Sequence, residues 1–207
     1  RSGRKWISPK GGIWISIIFQ PKFDISITTL FPIASSLALS YAIEKTFKIK
    51  PELKWPNDLT IKGKKVAGML VDVSLESNKI ESLVLGVGIN FDVDVKQIEK
   101  TLKETPNFYG VASLSVQKMK IKPKILVQTF LLELEKIYEL LNRKQTKNII
   151  SDWTKRSSTI GKKVELNTAE GKIKGDAIKI DDGGALIVSD KNKTSKIIAG
   201  DIIHLSK

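Results

Sequence analysis

The sequence predicts a mixed α+β fold, in which a largely antiparallel mixed sheet flanked by helices is followed by a small all-β module. Short apolar or alternating runs between residues 53 and 91 are separated by turn residues, as in an antiparallel meander. Residues 124–143 repeat apolar side chains at helical spacing. Beyond Arg156 the chain contains only short strand-like runs. These three observations together define the predicted fold class.

The main domain is predicted to begin with a strand over residues 12–19, whose continuous apolar run is typical of a central strand buried on both faces. A helix is predicted over 32–48, because proline suits a first turn and small residues mark a packing stripe. The meander that follows has four predicted strands, at 53–55, 59–61, 66–75 and 80–91, with a turn at 76–79.

Three further helices are predicted, at 95–104, 124–143 and 146–155, before a domain boundary at residues 155–158. We therefore assign residues 1–156 to a main domain and residues 157–207 to a second domain. The second domain should contain strands at 163–166, 172–180, 185–189 and 196–205, with turns at 181–184 and 190–192. Such a set of short strands predicts an SH3-like barrel.

Composition limits the chemistry that this chain can perform. It has 207 residues and no cysteine, which excludes a thiol nucleophile and a disulfide within the chain, and its single histidine argues against a His-based triad. No apolar run reaches the length of a membrane span, and we expect a cytoplasmic protein. The net charge of +13 indicates either attraction to an anion, such as a phosphate, a nucleic acid or an acidic protein, or a lysine-rich surface that is simply solvated. Because the chain begins at Arg1 inside a loop-like segment, we expect earlier residues to be absent.

One hairpin is predicted to bring charged groups together. Asn57 and Asp58 supply turn chemistry, and residues 62–64 form a hairpin tip with glycine for positive φ. The returning strand then carries Lys65 back towards Asn57 and Asp58. An ammonium, a carboxylate and an amide should therefore lie near one mouth of the sheet, with Lys64 on the opposite side of its strand. A charged hairpin tip that is merely solvated remains an alternative.

Three motifs in this order resemble the biotin protein ligases, within the lipoate ligase and class II aminoacyl-tRNA synthetase-like superfamily. The first is R-x-G-R-x-W-x-S-P-x-G-G at residues 1–12. The second is K-W-P-N-D at 54–58, followed seven residues after the aspartate by K-x-x-G. The third is G-x-G-x-N at 86–90. The resemblance covers nearly the whole chain, and the second motif is the most specific.

The resemblance implies an ATP-dependent ligase, a biotin–[acetyl-CoA-carboxylase] ligase. Such an enzyme activates biotin as biotinyl-5′-AMP and transfers it to a lysine of a biotin carboxyl carrier protein. ATP and Mg²⁺ are the implied cofactors, because two anions must be brought together at the reacting phosphorus. A homodimer is a possible assembly, and a nucleic-acid partner cannot be assigned.

The resemblance also implies roles for individual residues. Lys65 contacts the biotin carboxylate and the adenylate phosphate, and Arg1 joins Lys65 and Asp58 as a catalytic residue and also contacts biotin and ATP. The remaining assignments are a nucleotide set, a biotin set and a metal set. They comprise Arg4, Trp6, Asn57 and Asn90 for ATP, Gly68, Gly86 and Gly88 as space for biotin, and Asp58 and Asn90 for Mg²⁺.

Two other functions remain open at this point. The lipoate ligases and octanoyltransferases share the scaffold and a lysine-dependent acyl chemistry, and the acid that stimulates pyrophosphate exchange would separate them. A basic nucleic-acid-binding module would instead show salt-dependent binding and no ATP consumption.

Overall fold

The computed structural model describes residues 7–77, 79–105, 107–117, 121–168, 171–190 and 193–205. Its main sheet is antiparallel, with the strand order β1-β5-β4-β3-β2. The last four strands form the predicted meander. The five strands are β1 (Ile13–Phe19), β2 (Glu52–Lys54), β3 (Asp58–Ile61), β4 (Lys64–Glu76) and β5 (Lys79–Ile89).

The prediction that the first strand is central and buried on both faces is wrong. β1 lies at the edge of the sheet and pairs only with β5 among the described strands. Its side chains alternate in burial, and Ile18 is 72% exposed. A continuous apolar run cannot distinguish a central strand from an edge strand whose outward face is also apolar.

Within the described ranges four α-helices accompany the sheet, each with ends within two residues of its predicted bounds. They are α1 (Phe31–Phe47), α2 (Val95–Leu102), α3 (Pro123–Asn142) and α4 (Thr146–Thr154). α1 packs between the sheet and α3 and α4, and it is buried on almost every side. Its buried Ser36 accepts a hydrogen bond of 3.1 Å from the Trp153 indole, which joins α1 to α4. No helix in the described ranges is long and apolar enough to cross a membrane.

The second sheet is also antiparallel and five-stranded, in the order β10-β6-β7-β8-β9. The single final strand predicted at 196–205 is wrong. The chain bends at residues 198–199, and the two segments on either side of the bend form separate strands at opposite edges of the same sheet. The arrangement is consistent with the predicted SH3-like barrel. Its strands are β6 (Lys163–Thr168), β7 (Gly171–Ile180), β8 (Leu186–Asp190), β9 (Lys193–Ile197) and β10 (Asp201–His204).

The second sheet packs closely on the turn that follows β2. Leu53 exchanges backbone hydrogen bonds of 2.9 Å with Arg156 and Ser158. The backbone N–H of Trp55 donates to the Thr159 hydroxyl at 3.1 Å. One continuous cluster of buried apolar side chains includes residues from both sides of this junction. The predicted division between residues 156 and 157 therefore stays a prediction.

Candidate active site

A single row of paired residues crosses all five strands of the main sheet. The row runs Trp14–Gly88–Gly68–Asp58–Lys54, from β1 to β2. Residues paired directly in antiparallel strands point to the same face, and the row spans about 19 Å at about 4.8 Å per strand. The helices cover the opposite face. The face opposite the helices (the open face) therefore carries an indole, two glycines, a carboxylate and an ammonium in one line, of which the ammonium of Lys54 is buried.

A β-bulge directs Lys65 to this face. The pairing of β3 with β4 shifts between Leu59 and Thr60, so that Thr60 faces Lys65 and Val66 is the extra residue. Without the bulge, alternation from Gly68 would send Lys65 into the helix-covered face. Instead Val66 is buried, and Lys65 lies on the side of Asp58.

Lys65, Asp58 and Tyr109 form one charged cluster at the open face. The Lys65 ammonium lies 2.5 Å from Oδ1 of Asp58, and the Tyr109 hydroxyl donates to Oδ2 at 2.5 Å. Burial, followed by the neighbouring Asp58 charge, raises the pKa of Tyr109, so its hydroxyl remains a donor at neutral pH. A Cβ on Gly68 would stand 2.8 Å from the Lys65 nitrogen and 2.9 Å from Oδ1 of Asp58. Gly68 therefore leaves the space that this ion pair occupies.

Lys64, one residue away, belongs to a different environment. Its ammonium lies 3.2 Å from a Glu99 carboxylate oxygen on α2, and its side chain is 54% exposed. The two neighbouring lysines therefore have different acidic partners, as the alternation of a strand predicts. This separation makes Lys64 a matched control for Lys65.

The side chains of the two predicted asparagines, Asn57 and Asn90, form hydrogen bonds with backbone carbonyl groups. The Asn57 side-chain amide donates to the Met69 carbonyl, while Met69 N–H donates to the Asn57 carbonyl at 3.1 Å. The Asn90 amide donates to the Lys65 carbonyl at 3.2 Å. The segment 110–112 pairs with the other side of Lys65, through hydrogen bonds of 3.0 and 2.8 Å. These contacts fix the Lys65 backbone; a nucleotide contact for either asparagine stays a prediction.

At Gly86 no packing contact within the protein requires a glycine. A Cβ there would meet only Leu70, at 3.7 Å or more, which is ordinary contact. Gly86 lies on the same open face as Gly68 and Gly88, two residues along β5. The three glycines make a strip without side chains that extends from the Lys65–Asp58 pair, and this strip suits a flat ligand.

Trp14 borders the same strip on β1. It is 37% exposed and is paired with Gly88. A Cβ on Gly12 would overlap the Trp14 ring, at 2.2 Å, so that glycine lets the indole lie back along its own strand. Gly11, with φ of 92°, is required by the turn, since its Cβ would overlap the Asp92 carbonyl.

The remaining predictions concern the N-terminal residues and a metal site. Arg1, Arg4 and Trp6 lie outside the described residues, and their assignments stay predictions. The described part of the chain contains no group of three or more His, Asp or Glu residues that could hold a metal. Both oxygens of Asp58 are engaged, and the Asn90 amide is bound to a carbonyl. The Mg²⁺ assignment to Asp58 and Asn90 stays a prediction.

Three residues of this face were not predicted as site residues from the sequence: Lys54, Tyr109 and Trp14. Lys54 was visible as the first letter of K-W-P-N-D, but no local pattern indicates that this residue is only 7% exposed. Tyr109 comes from a loop between α2 and α3, and no local pattern indicates that it reaches Asp58. Trp14 was assigned to a buried strand, so its open side went unnoticed.

His204 provides a pH-dependent probe of the junction between the two sheets. Burial, with smaller contributions from the Lys54 and Lys162 charges, lowers its pKa to about 4. A histidine with a depressed folded pKa contributes stability that is complete above its ordinary pKa of about 6.5 and is lost as the pH falls towards 4. Its ring Nε2 lies 3.2 Å from the Thr159 hydroxyl.

We therefore expect the single histidine to titrate near pH 4 by NMR, and the urea midpoint to fall between pH 6.5 and 4. The variant His204→Gln should show a flatter stability profile across the same window, because carboxylates contribute equally to both proteins. A His204 titration midpoint near 6.5 would contradict the buried neutral imidazole.

Comparison with known proteins gives matches over both parts of the chain. Residues 1–90 match the family model "Biotin/lipoate A/B protein ligase family", and residues 159–205 match "Biotin protein ligase C terminal domain". A bifunctional ligase/repressor BirA of Bacillus subtilis is 30% identical over 203 residues, covering 98% of this chain and 61% of the relative. The chain thus spans about three fifths of the length of that relative.

Two further relatives are covered more fully. A biotin–[acetyl-CoA-carboxylase] ligase of Mycobacterium tuberculosis is 27% identical over 212 residues, covering 99% of this chain and 74% of the relative. The solved structure of a biotin protein ligase from Aquifex aeolicus in complex with biotin and ATP is similar, with a TM-score of 0.81 and 25% identity. That match covers 98% of this chain and 82% of the other.

Proposed function

The chain belongs to the biotin protein ligase family, and from this premise we propose that it activates biotin with ATP and transfers it to a carrier-protein lysine. The observation that carries the proposal is the Lys65–Asp58 pair at the end of the glycine strip on the open face. The acid would lie along the strip, with its carboxylate beside the Lys65 ammonium.

In the first step a biotin carboxylate oxygen attacks the α-phosphorus of ATP. A new carboxyl–phosphorus bond forms, the bond from that phosphorus to the bridging oxygen breaks, and pyrophosphate leaves with the electron pair. Both reactants are anions, so a fixed cation lowers the barrier most where negative charge concentrates. Lys65 supplies this cation. Asp58, Asn90 and segment 110–112 hold it before the substrates arrive, so little reorganisation is needed.

In the second step the neutral amine of an acceptor lysine attacks the acyl carbonyl. An amide bond forms, the carbonyl–phosphate bond breaks, AMP leaves with the electron pair, and the proton lost by the amine passes to solvent. We propose a biotin carboxyl carrier protein as the acceptor. The net charge of +13 would assist its approach if the carrier is acidic, through electrostatic steering. The cytoplasm stays the expected compartment for this reaction.

The proposal is tested by exchange of labelled pyrophosphate into ATP. Biotin should stimulate exchange, and lipoate or octanoate at equal concentration should not. The lipoate alternative deserves this control because the family model over residues 1–90 includes lipoate ligases. The match of residues 159–205 to a biotin-ligase C-terminal domain favours biotin. If lipoate stimulates exchange and biotin does not, lipoate is the substrate and the proposal is wrong.

We also propose a homodimer formed through the edge strand β1. An edge strand presents unpaired N–H and C=O groups that can pair with a second copy. Ile18, near the C-terminal end of this strand, is 72% exposed and would be covered. Sedimentation at tens of micromolar with biotinyl-AMP should therefore show a dimer, and Ile18→Lys should shift it towards monomer. A monomer for the unaltered chain would end this proposal.

A further inference from the structure

A pocket lies beside the glycine strip and the Lys65–Asp58 pair, at the junction of the two sheets. It has a volume of about 280 Å³ and lies between strands β2–β3, the segment 107–109 and β10. Its lining is mostly apolar, with one ammonium and several neutral polar groups. The lining residues used below are Lys54, Thr60, Tyr109, Ser158, Ile203 and His204.

The ammonium of Lys54 is the unusual group in this pocket. The residue is 7% exposed, and its nitrogen lies 3.3 Å from the centre of the Tyr109 ring. Among the described residues it has no carboxylate within ion-pair distance and no hydrogen-bond acceptor. A buried ammonium is costly unless it is paired. Contact with one aromatic ring offsets only part of that cost.

The local charges leave one positive charge uncompensated. Two ammonium groups, Lys54 and Lys65, stand on either side of Asp58. Asp58 is the only carboxylate described among them, and its oxygens already accept from Lys65 and Tyr109. Burial lowers the pKa of Lys54 to about 8, so the amine is still mainly protonated at pH 7. His204 is neutral at that pH. The site therefore attracts an anion.

Two hydroxyls are suitably placed to assist an anion. The Ser158 hydroxyl contacts the Leu53 carbonyl at 3.4 Å, and the Thr60 hydroxyl contacts the Glu52 carbonyl at 3.5 Å. Both contacts are longer than the usual O–H···O distance of about 2.8 Å. Either hydroxyl can therefore exchange its carbonyl partner for an anionic oxygen at small cost.

The position of the pocket indicates which anion it takes. The glycine strip lies on the β4–β5 side of the Lys65–Asp58 pair, and Lys54 lies on the β2 side. In phosphoryl transfer the attacking and leaving oxygens lie roughly in line, on opposite sides of the phosphorus. An acid that attacks from the glycine strip must expel its leaving group towards Lys54.

We propose that the Lys54 pocket is the subsite for the pyrophosphate portion of ATP, and that Lys54 stabilises pyrophosphate as it leaves. This inference rests on the proposed function, because it takes the acid to lie on the glycine strip. Lys65 acts at the reacting phosphorus, and Lys54 acts at the leaving group. The two lysines therefore have separate and separable roles.

His204 allows the proposal to be tested without catalysis, since it is the only histidine in the chain and it lines the pocket. Inorganic pyrophosphate is titrated into the full chain while the imidazole resonances are followed by NMR. We expect saturable shifts and a rise in the pKa of His204, because a bound anion stabilises the imidazolium. Imidazole resonances that do not respond to pyrophosphate would overturn the proposal, and this result requires no variant.

Lys54→Met should weaken pyrophosphate binding at least about tenfold, the scale of one lost charge-assisted contact. Lys50→Met, at an exposed position just before β2, is the matched control and should bind like the unaltered chain. In the exchange assay, Lys54→Met should raise the KM for pyrophosphate and leave the KM for biotin unchanged. Equal binding by Lys54→Met and the unaltered chain would overturn the proposal.

Two comparisons separate the possible failures. If AMP shifts the His204 resonances and pyrophosphate does not, the pocket holds the nucleoside side of ATP and the assignment is wrong. If pyrophosphate binds through Lys54 but biotin does not stimulate exchange, the proposed function fails and the anion site stands. If biotin-dependent exchange is normal while Lys54 has no effect on pyrophosphate, only this inference fails.

Discussion

Lys65→Ala should lower the rate of biotin-dependent pyrophosphate exchange at least about a hundredfold while the chain stays folded. A preorganised group that stabilises developing charge typically contributes on this scale. The Lys65 side chain is 38% exposed, and its principal side-chain contact is the ion pair with Asp58. Removing it should therefore change the free energy of unfolding little, since partly exposed ion pairs contribute at most about 1 kcal/mol.

Two companion variants show whether position or general basicity is responsible. Lys64→Ala removes an equally basic neighbour that pairs with Glu99, and it should retain most activity. Lys65→Arg should also be impaired, because a planar guanidinium does not fit the space that Gly68 leaves for a compact ammonium. Circular dichroism confirms that each variant is folded. Equal losses at Lys64 and Lys65 would mean that no positioned lysine is needed, and full activity in Lys65→Ala would remove the centre of the proposal.

The hairpin illustrates how far sequence reasoning reached. The Pro-restricted turn, the tip at residues 62–64 and the return of Lys65 towards Asp58 are all local features, and local propensities predicted them. The structure shortens the tip to Lys62 and Gly63, which both have positive φ, as in a two-residue hairpin turn. The bulge at Val66 was missed, because a bulge follows from the competition between core burial and strand pairing across a sheet. The proximity of Lys65 and Asp58 was therefore predicted, but the bulge that directs Lys65 to the same face as Asp58 was not.

The errors elsewhere arise where tertiary context decides. Residues 13–19 carry apolar side chains on both faces. Only the fold shows that this strand lies at the edge of the sheet and that alternate side chains along it are exposed. Tyr109 is separated by fifty-one positions from Asp58, so their hydrogen bond has no local signature. Lys54 was interpreted as part of a motif, whereas in the structure it lies over the Tyr109 ring and shares a pocket with Ile203 and His204 of β10. These are long-range contacts that periodicity cannot reveal.

Gly68→Ala should reduce biotin-dependent exchange by about a hundredfold, with little change in stability. The added Cβ would stand within 3 Å of the Lys65 nitrogen and of Oδ1 of Asp58. Both atoms are at the ends of flexible side chains, so they can move aside without disturbing the backbone. The ion pair would then be displaced by about 1 Å, and a misplacement of that size in a catalytic group can cost about a hundredfold.

Gly86→Ala is the matched control on the same face, and it separates two roles for glycine. Its Cβ would meet Leu70 at 3.7 Å, so neither the fold nor the Lys65–Asp58 pair is disturbed. If biotin lies along the strip, the methyl group should raise the KM for biotin and leave kcat nearly unchanged. Gly68→Ala should instead lower kcat, because it moves the reacting lysine. Initial rates at varied biotin concentration distinguish these outcomes. Unchanged kinetics in Gly86→Ala would remove biotin from the strip, whereas unchanged kinetics in Gly68→Ala would mean that the position of the ion pair does not limit the rate.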